Sequence, residues 1–241
     1  MAQRVTGMGF ALAVSPPLVL LLGPFDGVLV VNLCSVVSAA MVLSRVWRRV
    51  EWRRFGQLVV SALVLGVIPG AWLVTILDTW VLEIGIAVLL LVALAVSQLI
   101  TRTDFVAYGP LSTTVAGAAS GFMNVTAGFG GAAVSAYAVI SRWPQQSFAA
   151  TIQPYFLTLG AASLTAKLLF AEGIVVSLEL WQWLVIIVAL VIGVALGEVV
   201  VSHISYETAR RAVIAIAYVG GVVTLAHGLA TADISGVDWF G

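Results

Sequence analysis

Five arginines (Arg45, Arg48, Arg49, Arg53 and Arg54) share one short gap between long apolar runs, and the next gap, Asp78 to Glu83, is charged only by acids. Arg102 follows, then Arg142, then the acidic stretch Glu172 to Glu179, then Arg210 and Arg211, and last a tail with Asp233 and Asp238. Basic residues stay on the cytoplasmic side of a membrane far more readily than they cross it, so this alternation encodes a topology. The chain reads as a polytopic membrane protein. Of its 241 residues 61% are hydrophobic and 9% charged, more apolar surface than a water-soluble domain can hide. At ~20 residues per crossing, the length allows about nine or ten segments with very short loops and no separate soluble domain.

Several function classes drop out. Net charge is zero, with one lysine (Lys167) and no basic run interleaved with aromatics, which argues against a nucleic-acid partner. Cys34 stands alone inside an apolar run, so there is no disulfide framework or cysteine metal site. His203 and His227 lack paired-ligand spacing, and no nucleophile constellation or P-loop is present. The sequence therefore implies no catalytic residue, no metal, no cofactor and no ATP-driven step. The first residues resemble a signal peptide, but their apolar core runs through Pro16 and Pro17 to no small-residue cleavage site, which indicates a retained membrane segment.

The apolar runs lie at 7–22, 25–44, 55–77, 81–100, 106–126, 128–141, 145–170, 181–202 and 210–229. With loop 45–54 in the cytoplasm, counting crossings puts Arg102, Arg142 and loop 203–211 there too. Asp78 with Glu83, Glu172 with Glu179, and the C-terminus fall outside. Nine of the eleven basic residues are then cytoplasmic, as expected for a multi-pass protein of the cell membrane.

The second half repeats the first. Gly66-x-x-x-Gly70 matches Gly193-x-x-x-Gly197, and the same offset pairs Asp78 with Ser205 and Glu83 with Arg210. At a slightly smaller offset Gly7-Met8-Gly9 matches Gly128-Phe129-Gly130, and Asn32 matches Gln153. Basic loop 45–54 corresponds to acidic loop 171–180, and acidic loop 78–83 to basic loop 203–211. Two copies with opposite loop charge point opposite ways through the bilayer, the inverted-repeat plan of many secondary transporters. The expected architecture is an all-α integral membrane protein of about eight or nine membrane segments, some short or broken. Residues 1–104 form the N-terminal repeat and 105–241 the C-terminal repeat, together one transmembrane domain. The first copy shows four segments where the second shows five, so a helix preceding Met1, lost or hidden by a late start codon, is the expectation.

Segment 128–141 is too short to cross: fourteen helical residues span ~21 Å against a hydrocarbon core of ~30 Å. It follows a break from Asn124 through Thr126 to Gly128, Gly130 and Gly131. A helix starting inside the membrane offers free N–H groups and partial positive charge, which suit an anion. Close helix packing is the plainer explanation of isolated glycines. The next segment of each copy has polar residues at its middle, Asn32 with Ser35 and Gln153-Pro154-Tyr155. Buried amides cost a few kcal/mol unless paired, which suggests a shared polar interior; an ordinary interhelical hydrogen bond is the alternative. Arg4, matching Val125 in the repeat, is a fixed cation at membrane depth if a helix precedes Met1 and a cytoplasmic anchor otherwise. Lys167 and Glu198 lie near segment ends, where they can snorkel; Glu198 is also the candidate proton carrier.

These features together resemble the sulfite exporter TauE/SafE family, also called the 4-toluene sulfonate uptake permease family. The matching stretches are Gln3-Arg4-Val5-Thr6-Gly7-Met8-Gly9-Phe10 through Pro16, Val50-Glu51-Trp52-Arg53, and Ala118-Ala119-Ser120-Gly121 through Gly131, with both doubled glycine pairs. The resemblance covers essentially the whole chain. It departs from the family pattern in the missing first helix and in Gly-Phe-Gly-Gly at the second break. The resemblance implies transport of small sulfur-containing or organic anions such as sulfite, sulfonates and sulfoacetate.

The expectation is a secondary transporter working by alternating access. Asn32, Ser35, Asn124, Thr126, Gly128, Gly130, Gly131, Gln153, Tyr155 and Arg4 would contact the substrate. Its partners would be a small anion, the lipid bilayer and a coupling proton or sodium ion; a homo-oligomer is compatible with the sequence. A carrier of the same fold for an amino acid or cation, or a non-transporting scaffold or enzyme subunit, remain the alternatives.

Overall fold

A membrane leaves backbone groups no water to bond, so each apolar run must satisfy them internally. In the computed structural model every regular element among the described residues is a helix. Those residues are 9–100, 106, 107, 109–170, 181, 184, 185, 188 and 206–234. The helices are α1 (Gly9–Val46), α2 (Trp52–Ile76), α3 (Thr79–Ile100), α4 (Pro110–Ala127), α5 (Gly131–Ile140), α6 (Gln145–Phe170) and α7 (Tyr206–Ile234). By length and apolar composition four stretches among them suffice to cross a membrane: Ser15–Arg49, Trp52–Ile76, Thr79–Val96 and Ile214–Ala232.

α1 is two arms. Gly23 has φ 81° and ψ 164°, backbone that favours glycine, and Pro24 after it has no N–H to continue the ladder. A Cβ built on Gly27 would lie 2.7 Å from the Leu18 carbonyl carbon. Nine residues of straight helix would hold those positions ~13 Å apart. The arms before and after Gly23 therefore fold back on each other. The second half turns similarly between α5 and α6, where Arg142 takes φ 47° and the Trp143 N–H donates to the Ala138 carbonyl at 2.9 Å.

Glycines set how closely α2 meets α4. α2 loosens into a π turn over Ala62–Val67, where Gly66 lies against α4. A Cβ there would stand 2.5 Å from Ala118 O and 2.6 Å from Phe122 N, and one on Gly121 would strike the Ala62 backbone. The Gly66/Gly70 spacing is thus a packing surface; Gly193 and Gly197, its sequence counterparts, lie outside the described residues. α2's opposite face exposes Val60, Val64, Ile68, Trp72 and Ile76. A stripe at four-residue spacing is one helix face, here turned to lipid.

Two apolar cores result. One joins α2, α4, α5 and α6 through Leu58, Val67, Val125, Tyr137, Trp143 and Tyr155. The other joins α1, α3 and α7 to the end of α4 through Val19, Val31, Ile86, Leu90, Met123 and Ala217. At the arginine-rich end, Trp143 Nε1 donates to Glu51 Oε1 at 3.0 Å, Arg54 lies over the Trp143 ring at 4.7 Å, and the Ala107 N–H reaches Ile140 O at 3.1 Å. The gaps around Glu51 and Trp143 meet there, with the start of the run 106–126 beside them.

Two charged residues depart from expectation. Glu83, assigned to an outer gap, is buried in α3, because His227 of α7 supplies a partner, Nδ1 to Oε2 at 2.7 Å. Lys167, expected to snorkel, is fully buried, because the fold-back of α1 covers the end of α6.

Gly66→Ala and Gly121→Ala should each destabilise the protein by about 1–3 kcal/mol, since the added methyl meets backbone that cannot yield cheaply. Gly56→Ala and Gly85→Ala, with nothing within 4 Å of the new methyl, should leave stability unchanged or raise it by up to about 1 kcal/mol. Thermal unfolding in detergent distinguishes the two pairs.

Candidate functional site

α4 carries small and polar residues where other segments carry valine and leucine. It buries Thr113, Ser120, Asn124 and Thr126 among Ala116, Gly117 and Gly121. Such a helix suits the middle of a bundle, because small side chains admit neighbouring backbones and polar ones bond to them. Here α1 and α6 close on α4 and bring three polar side chains together. Asn124 Nδ2 donates to Asn32 Oδ1 at 2.9 Å and to Ser163 Oγ at 3.0 Å. Asn32 Nδ2 returns a longer bond, 3.4 Å, to the Asn124 carbonyl. Asn32 is 0% and Asn124 3% exposed, so their hydrogen bonds must come from the protein.

The backbone is shaped around this set. Gly128 ends α4 with φ 78° and gives its N–H to Asn124 O, which therefore accepts from two directions. The N-terminus of α5 opens beside it: a Cβ on Gly130 would lie 2.9 Å from Asn124 Cβ and against the Ser120 carbonyl. Gly160, one turn before Ser163, lets α6 approach α1 so closely that a Cβ would stand 3.2 Å from Asn32 O. Ser15, on the first arm of α1, donates to the Ala127 carbonyl at the end of α4.

The residues singled out from sequence fall into three groups. Asn32, Asn124, Gly128 and Gly130 meet at this junction, and buried Gly131 opens α5 next to them. Thr126 and Gln153 are buried but bonded within their own helices, Thr126 Oγ1 to Phe122 O at 2.7 Å and Gln153 Nε2 to Ala149 O at 3.1 Å. The repeat matches Asn32 with Gln153, whereas in space its partner is Asn124. Ser35 is half-buried. Tyr155 is 1% exposed, and its hydroxyl lies beside that of Ser120. Arg4 and Glu198 lie outside the described residues.

Sequence reasoning gave no site role to Ser15, Ser120 or Ser163, and read Lys167 only as a residue able to snorkel. Serines are too common in membrane helices to stand out, since each can satisfy itself on its own backbone. Lys167 did carry a signal: it is the chain's sole lysine and sits inside an apolar run, where an ionisable residue marks a functional site by default.

The junction is rich in neutral donors: carboxamide N–H groups, serine and tyrosine hydroxyls, and the start of a helix. It holds no carboxylate side chain among the residues named. Donors of this kind hold an anion without a fixed counter-charge, through hydrogen bonds and oriented dipoles. Among the described residues no cluster of histidine, cysteine or carboxylate that could hold a metal ion occurs.

The family model for the sulfite exporter TauE/SafE matches residues 1–224. No curated protein and no solved structure matches the chain. Matched over nearly its whole length, and built of apolar helices around a polar junction, the chain belongs to the sulfite exporter TauE/SafE family of membrane transporters.

Proposed function

We propose that this transporter moves small sulfur-containing or organic anions, such as sulfite and organosulfonates, across the cytoplasmic membrane by alternating access. The observation that carries the reading is the buried Asn32–Asn124–Ser163 set at the mouth of a helix too short to span. Asn32 has a second N–H, and Ser163 a hydroxyl proton, that a sulfonate or sulfite oxygen can accept. The α5 N-terminus adds positive potential where no cation would have to be buried for the purpose. Gly128, Gly130 and Gly131 keep the backbone open there. Tyr155 and Ser120 supply two further hydroxyls, and Ser35 lies on the same helix arm as Asn32. Thr126 and Gln153, occupied on their own helices, contribute less.

The halves 1–104 and 105–241 are read as inverted repeats. The fold-back at Gly23 and the turn at Arg142 occupy matching places in them and end at opposite faces in this topology. Rocking one half against the other would expose the junction to each side in turn. Arg4 and Glu198 keep their proposed parts, as a further cation and as the proton carrier; a proton or sodium ion is the coupling partner.

Proteoliposomes holding the purified protein should take up or release sulfite and organosulfonates, and absence of anion-dependent flux would contradict the reading. Asn32→Leu and Asn124→Leu should each lower flux by roughly tenfold or more per folded protein, and the double variant by little more, because the residues act as one unit. Gln153→Ala should cost less than either. A scaffold would show lost assembly with no flux to lose. Reporter fusions should place 45–54 inside the cell and 171–180 outside; a common side would remove the inversion.

A further inference from the structure

Lys167 is the one described residue that combines full burial, a cationic head and no hydrogen-bond partner. It is 0% exposed, its Nζ has no acceptor, and the ammonium lies 5.1 Å from the centroid of the Phe25 ring. Ammonium is among the most strongly hydrated groups a protein carries, and burying it without acceptors is costly. An aromatic face returns only part of that hydration, about 2 kcal/mol in the best desolvated cases. The nearby Asp26 carboxylate, itself buried, also acts on it electrostatically. An ionisable group buried at this cost in a membrane protein is a functional-site candidate.

Its location says which use. Lys167 follows Ser163 by four residues on α6, so the two share a helix face, with Lys167 ~6 Å further along the axis. Ser163 is bonded to Asn124. Phe25 and Asp26 directly follow the Gly23–Pro24 fold-back, at the end of α1 opposite the arginine-rich loop. Lys167 thus stands one turn from the polar junction, between it and the face of the protein away from residues 45–54.

We propose that Lys167 is the cation that receives the anionic substrate, an oxyanion of sulfur or a carboxylate, on its way between that face and the Asn32–Asn124–Ser163 junction. The proposal rests on the transport reading above and adds the charged step which that reading lacked among the described residues. Phe25 holds the ammonium in the absence of substrate through the weak, readily exchanged contact with its ring. The oxyanion then provides the acceptors that the ring cannot. Asp26 balances the charge when the site is empty and repels an anion that lingers, which favours release.

The test is sulfoacetate flux in proteoliposomes at matched protein content. Lys167→Gln should raise KM by roughly tenfold or more, the loss expected of a charge-assisted contact. Lys167→Arg should stay within about threefold of wild type, since it keeps the charge. The charge-neutral double variant Lys167→Met/Asp26→Asn should retain the raised KM; it also carries the test should Lys167→Gln fail to reach the membrane. A wild-type KM in Lys167→Gln, or its recovery in the double variant, would overturn the proposal and make the pair a structural one. Normal wild-type flux in either case would leave the transport reading standing. Absent flux in the wild type would instead remove that reading and this one together.

Discussion

A polar side chain deep in a membrane protein must find its partners within the fold, and the bond between Asn32 and Asn124 is where this chain meets that demand across distant parts of its sequence. Asn32 comes from the folded-back α1, Asn124 from the end of α4, and Ser163 from α6. Losing one partner leaves the other's amide unsatisfied at a cost of about 1–3 kcal/mol. Three helices are thereby fixed in rotation, each with one polar position turned inward.

The close approach that the bond requires explains the glycines around it. Gly160 brings α6 onto α1, Gly130 brings the start of α5 onto α4, and Gly66 with Gly121 brings α2 onto the outer side of α4. Two apolar cores then form on either side of α4, and each draws on both halves of the sequence. Serine hydroxyls and carboxamides collect at the seam between them. Such a seam is the natural place for a path through the protein, because movement of one core against the other would open it without exposing either to water.

Much of the helix layout was legible in the sequence because it rests on strong local signals: long apolar runs, glycine breaks and arginines confined to the gaps. The run 81–100 forms the helix Thr79–Ile100 and the short run 128–141 the helix Gly131–Ile140, close to where hydropathy places them. What sequence could not provide is which residues face each other. The repeat aligned Asn32 with Gln153, but a repeat relates equivalent positions and not contacts. The rotation of α6 gives its inward place to Ser163 and leaves Gln153 bonded to its own backbone. Glu83 and Lys167 were misread for a related reason. Each lies near the end of a run, where a charge ordinarily escapes to water, and only the tertiary fold brings His227 over one and the α1 turn over the other.

The central claim is that an anion passes through a junction reached from each face in turn. Labelling of a single thiol at position 163 tests it most directly, using Ser163→Cys in a Cys34→Ser background so that no native thiol competes. The account predicts that a water-soluble thiol reagent reaches this position from the outside and, in inverted vesicles, from the inside, and that sulfoacetate slows both reactions. A thiol that stays unreactive from both faces while the protein remains folded would contradict it.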